Sequence, residues 1–222
     1  MRIALLSLLM ILSAVFSEAA DIDGWIVVMD KSGQSPLKSH AHAIVYLEGF
    51  FTEPVGEAVM DQQAKKFTPR LLPAVQGQSI RFENSDIYQH TVFSPHPTEP
   101  FSLSRYGQGE SRSVVLHEVG PHPVYCDIHQ SMIADVYVVP NRYFAVTDDR
   151  GFFRIADVPS GRHRLRAWHI LGGNATLFVD IGTGNRSVSL ELQSVKTAVE
   201  TPVSPWPVPG YDATDFQQDG YY

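Results

Sequence analysis

The sequence predicts an all-β fold, a sandwich or barrel built from many short strands. Three observations predict it. Short runs rich in Val, Ile, Phe and Tyr recur along the chain, several of them alternating apolar and polar residues. Pro, Gly and Asn part these runs, where turns belong. No stretch downstream of Ala20 keeps a helical period.

In chain order, the sequence opens on "MRIALLSLLMILSAVFSEAAD". Arg2 gives a thin positive start, Ile3 to Phe16 an apolar core, and Ser17-Glu18-Ala19 a small-x-small cleavage signal. That pattern predicts a secretory signal peptide over residues 1–19, cut after Ala19. An apolar run of about 14 residues is shorter than the roughly 20 that span a bilayer, and no later segment is longer. No cysteine stands at the cleavage site, which argues against a lipoprotein anchor. A soluble, exported mature protein is expected. "GWIVVMD" and "HAIVYLEG" follow as strands around a Ser/Gly/Pro-rich turn. In "EAVMDQQAKKFTPRLLPAVQGQSIRFENSD", Val59, Phe67, Leu71 and Val75 alternate loosely, Gly77 turns, and Ile80 and Phe82 share a strand face. "HTVFS", "SRSVVLHEV", "HPVYCDIH" and "ADVYVVP" are further strands. "YFAVTDDRGFFRIADVPSGRHRLRAWHI" reads as strands joined in hairpins at Asp149-Arg150-Gly151 and Pro159-Ser160-Gly161. "ATLFVDIG" and "RSVSLELQ" add two more. From Val195 to Tyr222, Pro, Gly, Asp and Tyr accumulate, and a poorly ordered tail is expected.

The net charge is −7, and losing Arg2 together with Glu18 leaves it so. An acidic chain gathers no positive field against a phosphate backbone, so nucleic acid is not expected as a partner. The 222 residues hold a single cysteine, Cys126. Exported proteins usually carry cysteines in pairs, and an accessible lone thiol oxidises. A buried inert thiol, an intermolecular disulfide and a thiolate held by metal all remain open.

Its neighbours bear on that choice. In "YCDIHQSM", a strand delivers Cys126 and a tight loop returns His129 and Met132 towards it. Thiolate and thioether select copper, and imidazole suits it too; a trigonal copper site takes one Cys, two His and a weak axial Met. The second His must come from elsewhere. His90, in "RFENSDIYQHTVFS", stands at the mouth of a strand after a polar Asn-Ser-Asp loop and is the natural partner. His96 is the reserve, while His117 and His122 are expected to be surface imidazoles. Tyr88, Phe93 and Tyr125 are core aromatics by default, with a ring around the metal as the alternative.

These motifs carry a resemblance. "AVMDQQAKKFTPRLLPAVQGQSIRFENSDIYQHTVFS…VYCDIHQSMIADVYVV" resembles a cupredoxin of the amicyanin and plastocyanin group, with amicyanin's short Cys-x-x-His-x-x-Met loop. It implies a Greek-key β-sandwich over residues 57–140 and one type 1 copper held by His90, Cys126, His129 and Met132. Thr91 departs from the pattern, where such proteins often have an Asn that ties two loops together. The flanks, residues 21–56 and 141–194, resemble the carboxypeptidase regulatory-like module, a transthyretin-like β-sandwich, through "TDDRGFFRIADVPSGRHRLRAWH". The arrangement implies a cupredoxin inserted in, or packed on, that module, with residues 195–222 as the tail. Exported bacterial proteins of this build are often labelled methylamine utilisation or plastocyanin-like proteins. The implied function is a periplasmic carrier of single electrons, not an enzyme, whose partners are redox proteins such as a dehydrogenase or a c-type cytochrome. A copper carrier or sensor without electron transfer is the alternative.

Other groups have plainer readings. Arg162, Arg164, Arg166 and Trp168 alternate along one strand and predict a solvated face, with an acid-binding patch as the alternative. His40 and His42 share a face by strand period and form a candidate second metal pair. His169 is expected to pack. Gly-x-Ser-x-Gly and His-Glu-x-x-His are absent from the sequence.

Overall fold

The computed structural model describes residues 19–182 and 184–196. Residues 1–18 of the predicted signal peptide and 197–222 of the predicted tail lie outside the described residues. The described chain is all-β. Its strands begin with β1 (Ala19–Met29), β2 (Ala43–Glu48), β3 (Glu57–Gln63), β4 (Lys66–Thr68), β5 (Leu71–Val75) and β6 (Ser79–Glu83). Next come β7 (His90–Ser94), β8 (Phe101–Tyr106), β9 (Ser111–Val115), β10 (Gly120–Tyr125) and β11 (Ile133–Val139). The last are β12 (Phe144–Val146), β13 (Phe152–Pro159), β14 (Gly161–His169), β15 (Asn174–Ile181) and β16 (Arg186–Gln193). No helix among the described residues is long and apolar enough to cross a membrane.

The central strands make two facing sheets, ordered β5-β11-β10-β7-β8 and β4-β3-β6-β9. Met60, Ile80, Phe82, Val92, Val124 and Val136 fill the core between them. The strands before and after this set pair with one another. One outer sheet runs β13-β1-β16, with β1 parallel to β16, and the other β12-β2-β14-β15. Ile26, Val45, Leu47, Phe153, Leu165 and Leu192 fill this second core. A third apolar layer joins the two sandwiches. Ile44 and Tyr46 of β2 meet Leu71 and Val75 of β5 and Tyr137 and Val139 of β11. Each such side chain taken from water contributes about 1.5–3 kcal/mol.

Several sequence expectations are corrected here. The inward face of β3 is Ala58, Met60 and Gln62, one residue out of step with Val59. Parallel pairing with β6 sets Ala58 beside Ile80 and Met60 beside Phe82, which fixes that register. β8 had no predicted counterpart, because an edge strand buried on one side only carries a weak apolar signal. The predicted hairpins around Gly151 and Gly161 are crossovers. β12 pairs with β2, β13 with β1, and β14 with β2 and β15, so consecutive strands alternate between sheets. The Gly151 turn makes the first crossover, its carbonyl accepting from the Ile26 N–H of β1 at 2.8 Å. Only β14–β15 is a hairpin in this stretch.

The arginine face of β14 is not simply solvated. Arg164 and Arg166 both pair with Glu48, each at 3.0 Å, and Trp168 packs against Tyr137 at 4.8 Å in the joining layer. His40 and His42 do not share a strand face. They lie in the loop before β2, where His42 takes a φ of +66°, which ends any period of two. His40 Nδ1 accepts from the Val28 N–H, and no metal cluster forms there among the described residues.

Candidate metal centre

Cys126 follows directly on β10 and continues its inward face after His122 and Val124, so the thiol is buried in the central core. Two backbone bonds close the loop behind it. The Met132 N–H donates to the His129 carbonyl at 3.0 Å, and the Cys126 N–H to the Met132 carbonyl at 3.3 Å. Met132 is buried in the same core as the thiol. His90 arrives from β7, whose pairing with β8 shifts register between His90 and Val92. That irregularity breaks strict alternation and lets His90, Thr91 and Val92 all lie buried.

The donor atoms converge. His90 Nδ1 stands 3.0 Å from His129 Nδ1, and Cys126 Sγ lies 3.9 Å from each. Among the described residues these three form the single cluster of metal-ligating groups. Those three sides place one point about 2.1 Å from all three atoms. First-row metals bind imidazole nitrogen at about 2.0–2.1 Å and thiolate at about 2.3 Å, the values known for zinc. The space fits one ion. The soft His–Cys–His set with Met132 beside it selects copper among such ions.

Electrostatics prepares the imidazoles. His90 Nε2–H donates to Asp86 Oδ2 at 3.2 Å, which leaves the lone pair on Nδ1, facing the cluster. Burial holds His90 below the ordinary imidazole range against the pull of Asp86. Burial, then His90 and then Lys65 push His129 down to about 4. Burial would raise the Asp86 carboxyl, yet N–H donors from Lys65 and Ile87 and the His90 ring hold it below its usual value. Both rings are therefore neutral at pH 7, as metal ligation requires.

Thr91 takes over the loop-tying task that the resemblance gives to Asn. Its hydroxyl donates to the Asp127 carboxylate, and the Asp127 N–H returns a bond to Thr91 Oγ1 at 3.1 Å. The same oxygen lies 3.8 Å from Cys126 Sγ. Tyr88 meets the edge of His129 with centroids 6.0 Å apart, under the Lys65 ammonium at 4.5 Å. Phe93 and Tyr125 pack against each other as a tilted pair, half-buried, as cross-strand partners.

The rival histidines stand apart from the cluster. His96 stacks on His122 with centroids 4.1 Å apart, near Glu99. His117 is an exposed imidazole, 67% accessible, and pairs with Glu99. His122 is not a surface group: its side chain is 0% accessible and its Nε2–H donates to the Glu118 carbonyl at 2.8 Å. Strand alternation with Val124 and Cys126 turns it inward, a signal the local Gly-Pro turn obscures. Sequence reasoning missed Asp86 and Asp127. An Asp four residues before a His is too common a spacing to single out.

No family model matches the chain, and no curated protein does. Solved structures are similar to part of it. A copper-containing nitrite reductase from Thermus scotoductus SA-01 is 20% identical over 39% of this chain and 25% of its own length, with a TM-score of 0.36. A purple cupredoxin from Nitrosopumilus maritimus is 20% identical over 37% of this chain and 100% of its own, TM-score 0.35. Amicyanin from Paracoccus versutus is 16% identical over 39% of this chain and 85% of its own, TM-score 0.35. This chain thus spans a quarter of the nitrite reductase. The chemistry of the centre rests on this chain's own donor atoms.

Proposed function

We propose that this protein is an exported, periplasmic copper protein that carries single electrons between redox partners, and that it is not an enzyme. The observation that carries the reading is the triangle of His90 Nδ1, Cys126 Sγ and His129 Nδ1 beside a buried Met132. A bound copper ion supplies one-electron exchange between Cu(II) and Cu(I). Cys126 would hold it as thiolate, His90 and His129 as neutral imidazoles, and Met132 as a weak thioether donor. The residues 57–140 form the copper unit in this reading, and the outer strands a companion module of the regulatory-like kind.

Burial of Cys126 and His90 keeps water and competing ligands out, which favours redox cycling over metal delivery. A carrier or sensor that hands on copper needs ligands open to exchange. His129 is half-buried beneath exposed Tyr88, with Ile87 74% accessible nearby in sequence, and gives an electron the shortest way out. A dehydrogenase or c-type cytochrome meeting that face over a small interface is the partner proposed.

Adding Cu(II) to the purified mature chain is expected to give an intense visible band from thiolate-to-copper charge transfer. Cys126→Ser should abolish it, while Met132→Leu keeps the colour and moves the reduction potential. A colourless copper-loaded protein defeats the blue site, and copper that passes to a chelator faster than it cycles electrons favours delivery.

A further inference from the structure

We infer that Asp86 is a positioning residue of the copper centre: its carboxylate fixes the His90 tautomer and strengthens that ring as a donor, which favours Cu(II) over Cu(I). This rests on the copper reading above. Asp86 is 6% accessible, and a carboxylate so buried is costly unless bonded on several sides. One of its oxygens, Oδ2, accepts both His90 Nε2–H at 3.2 Å and the Lys65 N–H at 2.7 Å. Its own N–H donates to Asn84 Oδ1 at 2.9 Å, and Asn84 Nδ2 in turn donates to the Tyr88 and Tyr106 carbonyls. Two donors therefore hold the carboxylate on Oδ2, and Asn84 pins the Asp86 backbone beneath it, which keeps the group on the imidazole.

The donor from Lys65 reaches it from an unusual turn. Ala64 and Lys65, between β3 and β4, both adopt left-handed φ values of +52° and +56°. Left-handed backbone costs a non-glycine residue about 1–2 kcal/mol. That conformation aims the Lys65 N–H at Asp86, and the bond to a buried carboxylate offsets the strain. The tip of this hairpin thus reaches both ligand rings, His90 through Asp86 and His129 through Lys65 and Tyr88. A negative partner on the far nitrogen raises the basicity of a ligating imidazole, and the harder, more charged Cu(II) gains more from it than Cu(I) does.

Two measurements on the mature chain test this. In the copper-free protein, nitrogen-15 NMR of the imidazoles is expected to show the His90 proton on Nε2, and Asp86→Ala to mix the tautomers. A parent with that proton on Nδ1 overturns the assignment. In the copper-loaded protein, Asp86→Asn keeps the shape and removes the charge. Loss of such a partner weakens binding about 10–100-fold. If the loss falls on Cu(II), the potential rises by about 60–120 mV at 59 mV per tenfold. A merely structural role would lower stability or occupancy and leave the potential of the loaded fraction where it was, and that result sinks the inference. A colourless parent that still holds the His90 proton on Nε2 defeats the copper reading and leaves the Asp86 tie standing.

Discussion

His169, at the end of β14, has both ring nitrogens committed. Its Nε2–H donates to the Ala41 carbonyl at 2.9 Å and its Nδ1 accepts from the Leu171 N–H at 3.2 Å. At 3% accessible it must stay neutral to keep them, and burial pushes it from 6.5 down to about 4. Between those values the unfolded chain takes up a proton that the folded one refuses. The contribution of His169 to stability is full above about pH 6.5 and falls by about 3 kcal/mol on acidification through the window. Denaturant titrations of the copper-free chain across it should show stability falling as pH falls, and His169→Gln should reduce that slope by about one proton. The sequence assigned His169 to packing, and it packs. The His90–Cys126–His129 cluster was legible because one loop carries Cys126 and His129, and His90 opens a strand beside a polar loop. Asp86 and the Thr91–Asp127 tie were not, since those bonds depend on how distant loops meet.

At the scale of elements, turns decide which sheet a strand joins. Gly151 has a φ of +84°, and a Cβ there would lie 2.0 Å from the Ile26 carbonyl oxygen. Gly151→Ala is therefore expected to destabilise by at least about 2 kcal/mol, from the left-handed penalty and the displaced strand together. Equilibrium unfolding checks it, and a neutral result would mean that β1 has room to move. The residues Asp149-Arg150-Gly151 signalled a turn correctly. They did not signal whether the next strand folds back beside its predecessor or crosses to the facing sheet. Turn chemistry is local, whereas that choice is settled by β1 and β2, more than a hundred residues upstream in sequence. The same limit explains β3, whose inward residues follow from its partner β6.

For the whole molecule, the joining layer decides how the two sandwiches behave. Ile44 and Val139 are fully buried there, and Asn141, where the chain returns to the outer strands, donates to the Leu47 and Phe50 carbonyls at 2.8 and 3.0 Å. Ile44→Ala should cost about 2–5 kcal/mol. Calorimetry should show one transition in the parent, shifted as a whole in the variant. Two transitions, one of them unmoved, would show that the layer does not couple the halves. The all-β class was legible from composition and strand pattern; the layer was not, because its residues read as ordinary strand interiors. One consequence follows from the pairing of β1 with β16. A nascent polypeptide emerging amino end first has made every residue of the pocket for copper while β1 and β2 still wait for the strands that pair with them. Synthesis supplies the ligands before it supplies the last outer strands.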